Sequence, residues 1–191
     1  MEKTKTRASS RTLNMVLCAM FAALITVGAF IKIPIPYVPV TLQLFFTTLA
    51  GLLLGPKWGA ASSLLYMITG LVGIPIFTGG GGIGYIFKPS FGYIIGFVFG
   101  SFLTGFISSR GEKQTYLRNL IAALSGVLVV YAFGVIYYYM ISNFYLNTGA
   151  TVKTVFLYCF LLLIPGDIAF SFLAAFLSQR LSPVMKKLLN R

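Results

Sequence analysis

Apolar residues run along this chain in long blocks, separated by short polar, proline-rich or glycine-rich breaks. The blocks show neither the strict alternation of a half-buried strand nor the one-sided stripe of a soluble helix. They are apolar all round, which is the pattern of helices surrounded by lipid. Six blocks are legible: 12–31, 42–54, 58–72, 91–107, 120–141 and 155–177. The connector 32–41 holds Pro34, Pro36 and Pro39 and cannot be helix interior. The second and third blocks are each shorter than the roughly 20 residues of a full span. Gly55-Pro56-Lys57 divides them. A tight hairpin there is expected in preference to one long kinked helix, because it brings Lys57 and Trp58 to an interface. A glycine-rich loop, 73–89, precedes the fourth block, and Ser90 stands at its N-cap position. The expected fold is an all-α integral membrane protein: six transmembrane helices, short helices 2 and 3, and one transmembrane domain over 1–191.

Composition sharpens this. Of 191 residues, 58% are hydrophobic and 9% charged, where a soluble domain carries roughly 25% charged residues. A secreted or cytosolic enzyme is excluded, and so is a large extramembrane domain. The net charge of +12 is unevenly placed. With six spans, twelve of the fifteen Lys and Arg fall on the side that carries both termini, and only Lys32, Lys88 and Lys153 on the other. The positive-inside rule then puts both termini in the cytoplasm and the chain in the cell membrane. The charge is a topology signal and an attraction to anionic headgroups of the bilayer. It is not a nucleic-acid footprint, which needs a folded basic face.

Few residue types remain for chemistry. There is no histidine, which removes Ser-His and Cys-His nucleophile systems and His-bearing metal sites. Cys18 and Cys159 sit inside apolar blocks as small core residues. The chain is expected to hold no metal and no cofactor and not to be an enzyme. Asp167 stands alone in the sixth block, directly after Pro165-Gly166. A carboxylate at the centre of a membrane helix costs about 2.5–3.5 kcal/mol on insertion scales. Asp167 is therefore either a structural hydrogen-bond partner or a ligand or proton site. Pro165 frees a backbone carbonyl, and such irregular backbone is tolerated where it lines a cavity.

The run 79–84 contains a formal G-x-G-x-x-G at Gly79, Gly81 and Gly84, but it lacks the strand and βαβ unit of a dinucleotide site. Gly80 and Gly82 belong either to a plain connector or to backbone brought close to a ligand. Tyr85, Lys88, Ser90 and Tyr93 surround the start of the fourth helix. A helix N-terminus with a nearby cation favours an anion, and aromatic rings hold a flat apolar body. Thr41, Gln43 and Asn143 lie at the same end and can hydrogen-bond a neutral polar group or cap helices. Ala19, Ala22, Ala23 and Ala29 form a small-residue pattern on helix 1, suited to internal packing or to docking another subunit.

Taken in order, several stretches resemble the BioY family, the biotin-specific S components of energy-coupling factor (ECF) transporters. They are Val40-Thr41-Leu42-Gln43-Leu44, Ala-Gly-Leu-Leu-Leu-Gly-Pro-Lys-Trp-Gly-Ala over 50–60, and Gly-Leu-Val-Gly-Ile-Pro-Ile-Phe over 70–77. Thr-Gly-Gly-Gly-Gly over 78–82, Lys-Pro-Ser-Phe-Gly-Tyr-Ile-Ile-Gly-Phe over 88–97, and Ile-Pro-Gly-Asp over 164–167 complete the set. The resemblance covers about 12–180. It implies a six-helix membrane protein that captures biotin from outside. It also implies partners, a transmembrane coupling subunit and two ATP-binding-cassette ATPases, with ATP used only by those partners. In the family the small-residue face of helix 1, here Ala19 and Ala23, docks on the coupling subunit, and toppling of the S component is the proposed transport step. Two departures stand out. Family members often carry a basic residue three positions after the aspartate, where this chain has Phe170. The family's Gly-Pro-Thr-Gly-Gly-Tyr reads Lys-Pro-Ser-Phe-Gly-Tyr here.

On this resemblance Asp167 accepts hydrogen bonds from the ureido N–H groups of biotin, Gln43 and Asn143 serve its other polar atoms, and aromatics cover the bicycle. The tail points outward to Lys88, Ser90 and the helix 4 N-terminus. The rival readings are a stand-alone secondary transporter using Asp167 as a proton carrier, a non-transporting assembly subunit, and an S component for another vitamin. An intramembrane protease is disfavoured by a lone aspartate and the lack of histidine.

Overall fold

Helix α1, Glu2–Phe30, begins well before the apolar block, so the basic N-terminal segment is helical too. The chain is described here from a computed structural model over residues 2–33, 38–110 and 115–188. Pro34 and Pro36, the centre of the 110–118 loop, and Arg191 lie outside those residues. Helix α1 buries Cys18, Phe21, Ala22, Ile25 and Ala29, a helical face, and exposes Ala19 and Ala23 on the opposite side. A two-residue antiparallel pair follows, β1 (Lys32–Ile33) with β2 (Val40–Thr41), in the register Lys32↔Thr41.

Helices α2 (Gln43–Leu54) and α3 (Pro56–Leu71) meet at Gly55. Its φ of 82° is open to glycine, and Pro56 occupies the first turn of α3, where its missing N–H costs nothing. The chain reverses there. Gln43 at the start of α2 bonds Tyr66 near the end of α3, and a Cβ on Gly59 would stand 2.7 Å from the Gly51 Cα. This is the hairpin that the tripeptide suggests, and Lys57 is exposed at its tip.

A loop carrying a short 3₁₀ turn, Ile83–Phe87, leads to α4 (Phe91–Ser108). Ser90 makes no side-chain cap bond, so it does not have the capping role expected of it. Helix α5 (Tyr116–Met140) packs along α4 through a glycine seam. Gly92, Gly96 and Gly100 recur every fourth residue and lie against Phe133 and Tyr137, Val130, and Gly126 in turn. A Cβ on Gly96 would sit 2.9 Å from the Val130 Cα, and one on Gly100 would sit 2.8 Å from the Gly126 carbonyl oxygen. The antiparallel pair therefore touches backbone to backbone, the contact that small residues permit in lipid.

The sixth block, 155–177, lies within one continuous stretch, Val152–Met185, whose helical winding changes along its length. It is α6 (Val152–Phe156), a π-helical turn Leu157–Leu161, and then α7 (Ile164–Leu188), with Pro165 and Asp167 in the first turn of α7. Among the described residues the architecture is thus helical, with four stretches long and apolar enough to cross a membrane: Arg11–Phe30, Phe91–Ser108, Tyr116–Tyr145 and Val152–Met185. Helix α2 is apolar but only 12 residues long, and α3 has 16. At the end of the bundle away from the connectors 32–41 and 73–89, buried Ser108, Asn119 and Ser178 join α4, α5 and α7 by hydrogen bonds of 2.9 and 3.3 Å.

Candidate functional site

A half-open cavity lies at the end of the bundle where the 32–41 connector, the glycine-rich loop and the start of α7 converge. Its empty volume, counting the space at the mouth, is about 570 Å³. Each wall has a local cause. Val38 to Thr41 are held in place by the β1–β2 pair and by Leu42, whose N–H donates to the Gly28 carbonyl at 3.2 Å. Tyr93, Ile94 and Phe97 project from α4, and Val130 and Tyr131 from the facing part of α5. Leu163 and Asp167 come from the sixth block.

The polar groups on these walls are arranged in pairs. Tyr131 donates its phenolic hydrogen to Asp167 Oδ2. Asp167 lines the cavity and is only 8% exposed. An ionised carboxylate only accepts, so its complement in a ligand is a donor. Tyr93 donates to the Cys159 carbonyl at 2.6 Å, which satisfies an acceptor in the π-helical turn, and its ring meets Tyr131 edge-on at 6.1 Å. At the start of α2 Gln43 Nε2 donates to Tyr66 Oη at 2.6 Å, and Thr41 Oγ1 donates to Gln43 Oε1 at 3.2 Å. At the rim Thr78 and Tyr85 share a hydroxyl–hydroxyl bond of 2.9 Å.

Of the residues singled out from the sequence, Thr41, Gln43, Tyr85, Ser90, Tyr93 and Asp167 line this one cavity. Gly80, Gly82, Lys88 and Asn143 do not. Gly80 and Gly82 adopt φ of 111° and 99° within the loop, and Gly82 N–H bonds the Gly70 carbonyl at 2.8 Å, so they shape the loop itself. Lys88 is folded along the rim, donating to the Gly79 carbonyl at 2.8 Å and lying 4.6 Å from the Tyr85 ring centre. Asn143 ties the connector after α5 to itself through the Tyr139 and Ala150 carbonyls.

Sequence reasoning missed Tyr131, Tyr66 and Thr78. A signal for the two tyrosines existed. A phenol inside a membrane block needs a partner, and Asp167 and Gln43 were polar groups of the same kind waiting for one.

Fold and cavity define a class first: a helical membrane protein with a cavity lined by aromatic and polar side chains around one buried carboxylate. The BioY family model matches residues 1–187, and the chain belongs to that family. It is 45% identical over 175 residues to the probable biotin transporter BioY of Lysinibacillus sphaericus, covering 92% of this chain and 89% of that one. It is 34% identical over 179 residues to the biotin transporter BioY of Rhizobium etli, covering 88% and 92%. The crystal structure of an S-component for biotin from an ECF-type ABC transporter matches with a TM-score of 0.77 at 32% identity, over 91% of this chain and 92% of that chain.

Proposed function

We propose that this chain is the membrane-embedded biotin-binding subunit of an ECF-type importer. The observation that carries the reading is Asp167: a buried carboxylate that accepts from Tyr131 and lines the cavity of a BioY-family chain. Biotin has a ureido ring with two N–H donors, an apolar thioether ring, and a flexible tail ending in a carboxylate. The ureido N–H groups donate to Asp167, and Phe97, Tyr93 and Ile94 enclose the bicycle. Gln43 and Thr41 offer hydrogen bonds at the start of α2. The tail runs outward past Ser90 toward the rim, where Lys88 stands. No step of this scheme needs ATP in this chain. A transmembrane coupling subunit and two ATPases supply that work, and the exposed face of α1 around Ala19 and Ala23 is the surface offered to the coupling subunit. Both termini lie in the cytoplasm, on the strength of the basic residues gathered at that end.

The deciding experiment is calorimetric titration of the purified, detergent-solubilised protein with biotin, using thiamine and riboflavin as controls. Saturable binding of biotin alone, near one per chain, is expected. A folded, ligand-free sample that takes up none of the three would refute the reading.

A further inference from the structure

The cavity lacks a cation. Among the residues that line it, Asp167 is the only charged side chain. Three positions on, Phe170 packs against Phe45 at 5.9 Å, and neither ring offers a carboxylate a positive partner. A ligand held at its inner end by Asp167 therefore cannot turn a carboxylate inward, because burying an unpaired anion beside a like charge is strongly unfavourable. The anion must sit at the mouth.

The mouth offers two ammonium groups, delivered by different elements to one turn of backbone. Lys32 Nζ donates to the Thr78 carbonyl at 2.9 Å, and Lys88 Nζ to the Gly79 carbonyl at 2.8 Å. These carbonyls are consecutive, and Thr78 lines the cavity. Lys32 is paired across the β1–β2 register with Thr41, another lining residue. Lys88 lies over Tyr85, a third. Both lysines are exposed, and each spends one of its three N–H donors on these carbonyls. Two like charges gathered on neutral carbonyls repel each other, and an anion between them relieves that repulsion.

We propose that Lys32 is a second carboxylate-binding residue, acting with Lys88 as a two-lysine clamp for the ligand's acidic tail. This rests on the biotin reading above and extends it to specificity: the clamp makes the site prefer the free acid over a neutral tail. The preference falls with salt, because the ammonium groups are exposed.

The test compares biotin with biotinamide, whose tail is neutral, on wild type, Lys32→Ala, Lys32→Arg and Lys88→Ala. Wild type is expected to bind the acid on the order of tenfold more tightly than the amide. Lys32→Ala should lose most of that preference by weakening the acid alone, Lys32→Arg should keep it, and raising salt should shrink it. Equal weakening of acid and amide in Lys32→Ala would mean that Lys32 only braces Thr78, and no change in either would mean that it does nothing at the site. Each result overturns the clamp while leaving biotin binding intact. Wild type that binds neither compound overturns the biotin reading, and the clamp falls with it.

Discussion

At the scale of single residues, Asp167 was legible because a carboxylate inside an apolar block is costly enough to demand a reason. Tyr131 was not, since tyrosine is common at membrane interfaces and nothing in the sequence fixes which helix faces which. The structure joins them, and the pair makes separable predictions. Asp167→Asn keeps the shape but replaces an acceptor oxygen by a donor facing ligand donors, so biotin affinity should fall on the order of a hundredfold. Tyr131→Phe removes a donor to Asp167 while leaving both carboxylate oxygens, so it should cost less, roughly tenfold. Calorimetry on both variants checks the order, and Tyr131→Phe proving the more damaging would mean that the phenol, not the carboxylate, contacts the ligand. Gly80 and Gly82 are not among the cavity's lining residues, and their positive φ sets the loop's own path.

At the scale of elements, the apolar blocks located the helices well, and the Gly55-Pro56 hairpin was readable from short block length plus turn chemistry. The changed winding in the sixth block was only half readable. Pro165 announced irregular backbone, but the π-helical turn at Leu157–Leu161 lies upstream of it, where Tyr93 from another helix donates to the Cys159 carbonyl. The α4–α5 seam was not singled out from the sequence: its glycines recur every fourth residue, but their partners became plain only with the antiparallel register. Gly96→Leu would drive a side chain into Val130, and overpacking of this kind typically costs about 1–3 kcal/mol, sometimes more. The variant should unfold at a lower temperature in detergent, with biotin affinity reduced because Val130 and Tyr131 line the cavity. Unchanged melting would show that the seam is looser than described.

At the scale of the whole molecule, the charge distribution predicts an orientation that labelling can test. Cys18 and Cys159 are both buried, so an engineered cysteine can be read against a quiet background. A cysteine at Thr115 should react with a membrane-impermeant maleimide only after cells are opened, and one at Thr148 in intact cells. The reverse pattern would invert the topology. Ala19→Trp and Ala23→Trp lie on the exposed face of α1, away from the cavity. They should leave biotin titration unchanged while abolishing co-purification with the coupling subunit. Loss of biotin binding in either variant would mean that this face packs internally.

The glycine seam also divides the binding site into two mechanical halves. Where backbone lies on backbone there are no rotamers to redistribute, so α4 and α5 form a stiff post on which Tyr93, Phe97, Val130 and Tyr131 are mounted. The other walls are less regular: a two-residue strand pair tethered by a lysine, and a helix that carries a π-helical turn at Leu157–Leu161. Amide hydrogen exchange should therefore slow on biotin binding in 38–43 and 157–167, while 92–104 and 126–137 stay protected with or without ligand.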